Sequence, residues 1–352
     1  MREESLAFLK TLLGIASPSG YEQEAIRVWM SRVKRSAKKI TIDPHGNAIA
    51  VLNENAAPKV MLAGHIDEIG FMVKYIDEKG FVYFSAIGGI DPHVIPGRRV
   101  RIMTKKGNVT GVVGKRPPSS YADDGKGKIA KIKDFWIDIG AASREEAASL
   151  CSIGDVAVAA AGLELLYNDT ASARGFDDRA GAFVVAEVLR QVSGKKLACS
   201  LYGVATVQEE IGLRGAQTSA YGIDPDIGIA VDVTGATDTP GMEKAAVGDI
   251  RIGRGPVIAR GPNINPRVFD RLVRVAGKEK IPYQVQALAG GSRTDANVIQ
   301  LTRSGVAAGL VSIPLRYGHT PVELLSLNDL ENAVKLLRAF VLGLSAKFST
   351  TP

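Results

Sequence analysis

The strongest constraint in this chain is a change of hydrophobic period partway along it. Leu6, Leu9 and Leu13, with Phe8 and Leu12 beside them, repeat at helical spacing over the first sixteen residues. Ser17-Pro18-Ser19-Gly20 breaks that stripe, and a second helical stretch runs from about Tyr21 into the basic residues of 34–39, a charge suited to a helix C-terminus. Short β-like runs follow at 40–42, 48–52 and 59–63. From about Gly70 to Val158 the period falls to two, in short segments at 71–76, 81–86, 99–104, 108–113 and 135–139 separated by Gly and Pro. That spacing predicts a small β-barrel-type unit. After about Gly175 helices and apolar strands alternate: helix 179–192, strands 197–207 and 227–231, helix 267–278, strand 305–313 and a final helix 327–344. Such alternation predicts an α/β sandwich with helices on both faces of the sheet. The simplest organisation is one α/β domain split into 1–68 and 166–352, with a β-rich domain inserted at 69–165.

Composition removes several other classes. With 45% apolar and 23% charged residues, the 352-residue chain is neither disordered nor fibrous. No apolar run reaches the ~18 residues of a membrane span, and the longest, at 156–166 and 306–315, read as buried core. Met1-Arg-Glu-Glu-Ser5 places acids where a secretory leader needs basic and then apolar residues, so a cytoplasmic protein is expected. Cys151 and Cys199 are too few for a disulfide scaffold or a thiolate zinc cluster and read as buried thiols. The net charge of +7 is uneven: 98–133 holds eleven Lys and Arg against Asp123 and Asp124. Such a stretch can bind nucleic acid. The partial alternation over 126–133 instead fits a strand with one lysine-coated face, and few aromatics are interleaved, so no nucleic acid is expected. Gly125-x-Gly127-x-x-Ala130 resembles a dinucleotide fingerprint but follows an acidic, proline-bearing loop rather than a strand.

The chemistry lies where strands end. Strand 59–63 leads through Gly64 into His65-Ile-Asp67-Glu68, strand 197–207 into Gln208-Glu209-Glu210, strand 227–231 into Asp232, and the last strand towards Gly318-His319. Asp177 and Asp178 stand just before a helix, where they can also act as caps. Open α/β sheets form their ligand crevice at the carboxyl ends of strands. Two histidines and several carboxylates gathered there suit Zn²⁺, Mn²⁺, Co²⁺ or Mg²⁺, with ligands enough for two ions and a carboxylate to bridge them. The spacing of His65 and Asp67 also allows the carboxylate to hold the imidazole tautomer. Glu209 and Glu210 can diverge, one reaching a metal and the other the activated water as general base. His45, in a turn, is expected to be solvated, and His93 to have no catalytic role.

These residues carry a resemblance. Gly64-His-Ile-Asp-Glu-Ile-Gly-Phe71, Gly175-Phe-Asp-Asp-Arg-Ala-Gly181, Gln208-Glu-Glu-Ile-Gly-Leu-Arg-Gly-Ala216, Val231-Asp-Val233 and Gly318-His-Thr-Pro321 are similar to the glutamyl and tetrahedral (TET) aminopeptidases, dinuclear metallopeptidases. The similarity extends through Gly88-Gly-Ile-Asp-Pro92, Ile137-Asp-Ile-Gly140 and 290–296, and so covers nearly the whole chain in order. It implies a zinc-exopeptidase-like mixed-sheet α/β sandwich. It also implies that His65, Asp177 and Asp232 hold one metal, that Asp177, Glu210 and His319 hold the other with Asp177 bridging, and that Asp67 orients His65. Zinc or cobalt is expected first, manganese or magnesium next. The implied activity is removal of N-terminal residues from short peptides, through a water activated by the metal pair with Glu209 as general base. The inserted domain is expected to mediate dimerisation, with dimers able to build a hollow oligomer such as a tetrahedral dodecamer. Arg293, in the loop Gly290-Gly-Ser-Arg-Thr-Asp-Ala-Asn297, can pair with an acidic substrate side chain, anchor its own loop or contact a neighbouring subunit. There are two rivals: a deacylase or carboxypeptidase on the same metal pair, and a non-catalytic binding protein acting through 98–133.

Overall fold

The computed structural model describes residues 1–116 and 131–352. Three strands come first: β1 (Lys39–Ile42), β2 (Ala48–Leu52) and β3 (Lys59–His65). The next six close into an antiparallel barrel: β4 (Gly70–Ile76), β5 (Val82–Ile87), β6 (Arg99–Thr104), β7 (Gly107–Lys115), β8 (Phe135–Asp138) and β9 (Val156–Ala159). Then follow β10 (Glu164–Leu165), β11 (Thr170–Ala173), β12 (Ser200–Thr206), β13 (Ile227–Gly235), β14 (Val257–Arg260), β15 (Gln284–Ala287), β16 (Ala307–Leu315) and β17 (Glu323–Ser326). Eight strands make a mixed sheet in the order β1-β2-β12-β3-β13-β16-β14-β15, and β10, β11 and β17 make a small antiparallel one.

The central strands β12, β3, β13 and β16 run parallel and are almost wholly buried, which is why they read as continuous apolar runs rather than alternating ones. Helices Phe176–Val192, Pro266–Lys278 and Leu327–Leu342 cover one face, and Arg214–Ile223 and Ala296–Ile299 the other. Local chemistry sets some of these boundaries. The Asn265 side chain accepts the N–H groups of Arg267 and Val268, and Pro266 occupies the first turn, so helix Pro266–Lys278 begins there. Two separate apolar cores result. One fills the space between the large sheet and its helices around Trp29, Met61, Phe176 and Phe340; the other fills the barrel around Phe84, Val100, Phe135 and Ile137. The indole N–H of buried Trp29 donates to the Ala182 carbonyl at 2.8 Å, so that large side chain leaves no unpaired polar atom behind.

Several sequence expectations need correction. Of the run 156–166, only Val156, Ala157 and Val158 are buried, because β9 ends there and the chain continues into the edge strand β10, which exposes Leu165 and Leu166. The part of 126–133 that is described forms no lysine-faced strand: Ile132–Asp134 is a 3₁₀ turn, closed when the Asp134 carboxylate accepts the Lys131 N–H. Residues 117–130, including the rest of the basic stretch and the Gly125–Ala130 pattern, lie outside the described residues. His45 is half-buried rather than solvated, and its Nε2 is enclosed without a partner among the described residues. Asp232 lies within β13, which continues past Val231 to Gly235 because it keeps pairing with β16.

Candidate active site

The site begins where the large sheet forks. β3 and β13 pair only as far as Ala63 and Ala230. Beyond that point β3 continues beside β12 until His65 faces Thr206, while β13 continues beside β16 to Gly235. The start of helix Phe176–Val192 sits over the fork, in contact with both strands. A Cβ on Gly181 would lie 2.3 Å from the Val231 carbonyl oxygen and 2.3 Å from an Asp178 oxygen, so only glycine permits this approach.

His65 ends β3 and Asp232 lies on β13, both buried. The other acids and the second histidine stand on irregular backbone. Asp177 and Asp178 have non-helical dihedrals within the first turn of their helix, and the peptide between them is cis. Gln208, Leu213, Arg293, Tyr317 and His319 all have positive φ, a clustering of uncommon conformations typical of functional sites. Glu209 and Glu210 follow Gln208 and diverge.

The Asp177 carboxylate lies between the two imidazoles. His65 Nε2 is 3.2 Å from its Oδ1, and His319 Nε2 is 3.2 Å from its Oδ2. His319 Nε2 is also 3.4 Å from Glu210 Oε2, and His65 Nε2 is 3.8 Å from Glu209 Oε2. Two ligand-like groups emerge, His65 with Glu209 and Asp232, and Asp177 with Glu210 and His319, each with its donor atoms within 4.8 Å of one another. They line a cleft of about 910 Å³ together with Val233, Leu213 and Arg293.

Among the protein groups alone, this crowd of acids is electrostatically unfavourable. Burial, and next the Asp232 and Asp295 carboxylates against the opposing pull of His65, push Glu209 up to about 10. Burial and Asp177 likewise hold Asp232 near 8, again against His65. Burial and Asp177 keep Glu210 well above the usual carboxylate range. Asp177 goes the other way: burial opposes its ionisation, but hydrogen bonds from His319 and His65 outweigh it and hold the carboxyl below its ordinary range. Burial alone would lower His65, yet Glu209, Asp177 and Asp67 raise it. Glu210 Oε1 is buried and, among the described residues, has no hydrogen-bond partner. Converging imidazoles, mutually repelling carboxylates and an orphaned carboxylate oxygen are the donor set that divalent cations neutralise, and the residues fit such ions.

A second layer fixes these groups, and part of it escaped the sequence. Asp67 was expected to orient His65, and His65 Nδ1 does lie 3.2 Å from its carbonyl and 3.4 Å from its Oδ1. The Asp67 carboxylate also accepts the Glu209 N–H at 3.0 Å, the Glu210 N–H at 3.2 Å and the Ser19 hydroxyl at 2.7 Å. Buried Glu22 accepts the Gln208 N–H at 3.1 Å, so two carboxylates hold three successive amides of the Gln208–Glu210 turn. Asp178 is structural: its oxygens accept the N–H groups of His65 and Gly181. Asp295 accepts the Thr206 hydroxyl beside His65. Glu323 accepts the N–H groups of both Asp177 and His319. Position gave a faint signal for some of these, since Glu323 follows His319 by four residues, Glu22 closes the Ser-Pro-Ser-Gly break and Asp295 lies in the glycine-rich loop. From the barrel side, Gly88 and Gly89 press against Glu210 and His319. His93 is exposed and its ring engages the nearby Asp91.

The chain is similar to known proteins along nearly its whole length. Residues 46–336 match the family described as M42 glutamyl aminopeptidase. A putative aminopeptidase of Acetivibrio thermocellus is 42% identical over 95% of this chain and 98% of its own. Lysyl aminopeptidase of Pyrococcus furiosus is 39% identical over 95% of both chains. The crystal structure of a TET aminopeptidase from a marine-sediment Thaumarchaeota archaeon superimposes with a TM-score of 0.93 at 35% identity, covering 97% of each chain. The TET1 peptidase of Pyrococcus horikoshii, which can assemble into a tetrahedron or a large octahedral shell, superimposes at 0.86 with 32% identity over 97% of this chain and 100% of its own.

Proposed function

The chain belongs to the M42 glutamyl aminopeptidase family, and from that membership we propose that it trims N-terminal residues from short peptides at a pair of divalent metals. The observation that carries the two-metal reading is the Asp177 carboxylate, with one oxygen 3.2 Å from each imidazole. In this reading His65, Asp177 and Asp232 hold one ion, and Asp177, Glu210 and His319 the other. Zinc or cobalt, with manganese or magnesium as alternatives, would supply the positive charge that acidifies a water and polarises the scissile carbonyl.

With Asp177 as the bridge, Glu209 need not serve as a ligand and is free to act as general base. Its carboxylate takes a proton from the attacking water and returns it to the leaving amine. Asp67 accepts the Glu209 N–H and so fixes the backbone that carries that carboxylate. Arg293, on the cleft wall, is the candidate contact for an acidic first residue. Replacement with Ala should then reduce the preference for Glu- over Leu-starting peptides about tenfold, one charge-assisted contact's worth.

We further propose the division into 1–68, 166–352 and an inserted 69–165 domain that mediates dimerisation, with dimers assembling as the TET relatives do. The separate barrel core supports the insertion. Both cysteines are buried and free, which supports a reducing cytoplasm, and among the described residues no helix is long and apolar enough to cross a membrane.

The test is mass spectrometry of short peptides, with free and acetylated N-termini, incubated with chelated and then Zn²⁺- or Co²⁺-reloaded protein. Stepwise trimming of the free peptides alone, restored by metal, is the expected result. Release of the acyl group, or trimming from the other end, would replace this reading with the deacylase or carboxypeptidase. Salt-sensitive nucleic-acid binding without any cleavage would favour the binding protein.

A further inference from the structure

We propose that Glu323 is the positioning residue that brings the bridging aspartate and the second histidine into register, and thereby sets how tightly the second metal is held. This inference rests on the two-metal reading above. Glu323 begins β17 and is buried. Its Oε2 accepts the backbone N–H of Asp177 at 3.1 Å, and its Oε1 accepts the backbone N–H of His319 at 3.0 Å. A single carboxylate thus joins two ligands from distant parts of the chain.

Neither ligand is held by regular secondary structure. Asp177 has φ −80° and ψ 105° within a helical turn, and His319 has φ 59°. Local propensity does not select either conformation, so tertiary hydrogen bonds must. Glu323 is itself anchored, because β17 pairs with β11 and places Glu323 opposite Ala173, just before the Gly175–Asp177 turn. Both carboxylate oxygens are occupied by N–H groups, which makes Glu323 a brace rather than a further ligand. A glutamine of the same shape has one acceptor oxygen and one NH₂, so it can keep only one of the two bonds.

The experiment compares metal-free wild type, Glu323→Gln and His319→Ala. Each is titrated with Zn²⁺ against a competing chelator, with bound metal counted by mass spectrometry and metal-free thermal midpoints measured in parallel. Wild type should take two ions. Glu323→Gln should keep the first ion, bind the second about 10–100-fold more weakly, and melt with His319→Ala when metal-free. Wild-type affinity for both ions in Glu323→Gln would overturn the proposal. So would equal weakening of both ions, since only the second also uses His319, or melting far below His319→Ala, either of which would make Glu323 a general prop of the fold. A wild type that binds only one ion would instead sink the two-metal reading, and this inference with it.

Discussion

His65 and Asp232 stand on β3 and β13, parallel strands in the most buried part of the sheet, whereas Asp177, Glu210 and His319 stand on turns. The His65 side chain is 2% exposed and that of His319 42%. On the strand side the sheet's own hydrogen bonds fix most of the backbone, and the Asp178 carboxylate takes the His65 N–H where β3 and β13 part. On the turn side that work falls to buried carboxylates: Asp67 for Glu209 and Glu210, Glu22 for Gln208, and Glu323 for Asp177 and His319. A rigid sheet can place two candidate ligands with little further support, but setting candidate ligands on irregular loops requires charged braces in the interior. Such braces are tolerable because each carboxylate is satisfied by backbone N–H donors.

The largest expected effect separates chemistry from holding. Glu209→Gln should lower kcat by about 10²–10⁴-fold while metal content stays at the wild-type level. Loss of metal along with activity would mean that Glu209 is a ligand, as its place beside His65 and Asp232 also permits.

The two halves should also differ in how readily they release metal. Dilute chelator should remove the ion on the His319 side first, leaving a one-metal protein, because solvent reaches that imidazole directly. Time-resolved metal analysis showing simultaneous loss of both ions would break the contrast.

The fork between β3 and β13 offers a third test. Gly181→Ala places a methyl group against backbone oxygen, and should cost about 1–3 kcal/mol in urea unfolding with metal absent. An unchanged midpoint would mean that the helix start is free to retreat from the strands.

The smallest effect concerns the brace behind Gln208. Burial and the nearby Asp67 raise Glu22 from 4.5 to about 7. A raised carboxyl stabilises the fold when protonated, so its contribution is complete below about 4.5 and is lost as pH rises through about 7. Glutamine keeps the one acceptor oxygen that receives both Gly20 and Gln208. Glu22→Gln should therefore match wild type at low pH and gain a few degrees over it by pH 8, as read by thermal melts; a gap independent of pH would contradict the assignment.

Much of this was legible in the chain. The run of short strands between residues 70 and 158 predicts the closed barrel, and the acids and histidines that the chain sets at or near strand ends do converge. Glu323, Glu22 and Ser19 were not singled out, since a carboxylate or hydroxyl that bonds a distant N–H has no periodicity and no motif. The run 156–166 reads as core because it is apolar, and only the sheet order shows that Leu165 lies on an edge strand, with Leu165 and Leu166 exposed.

By itself, then, the sequence determined which side chains could meet a metal and which of the longer apolar or alternating runs would become strands, because side-chain chemistry and the two- and 3.6-residue periods are local properties. Tertiary structure alone decided that Asp177 faces both imidazoles, that Glu209 and Glu210 part company, and that Glu323 ties Asp177 to His319. Those outcomes depend on strand register and on hydrogen bonds between residues far apart in the chain, and no local pattern encodes either.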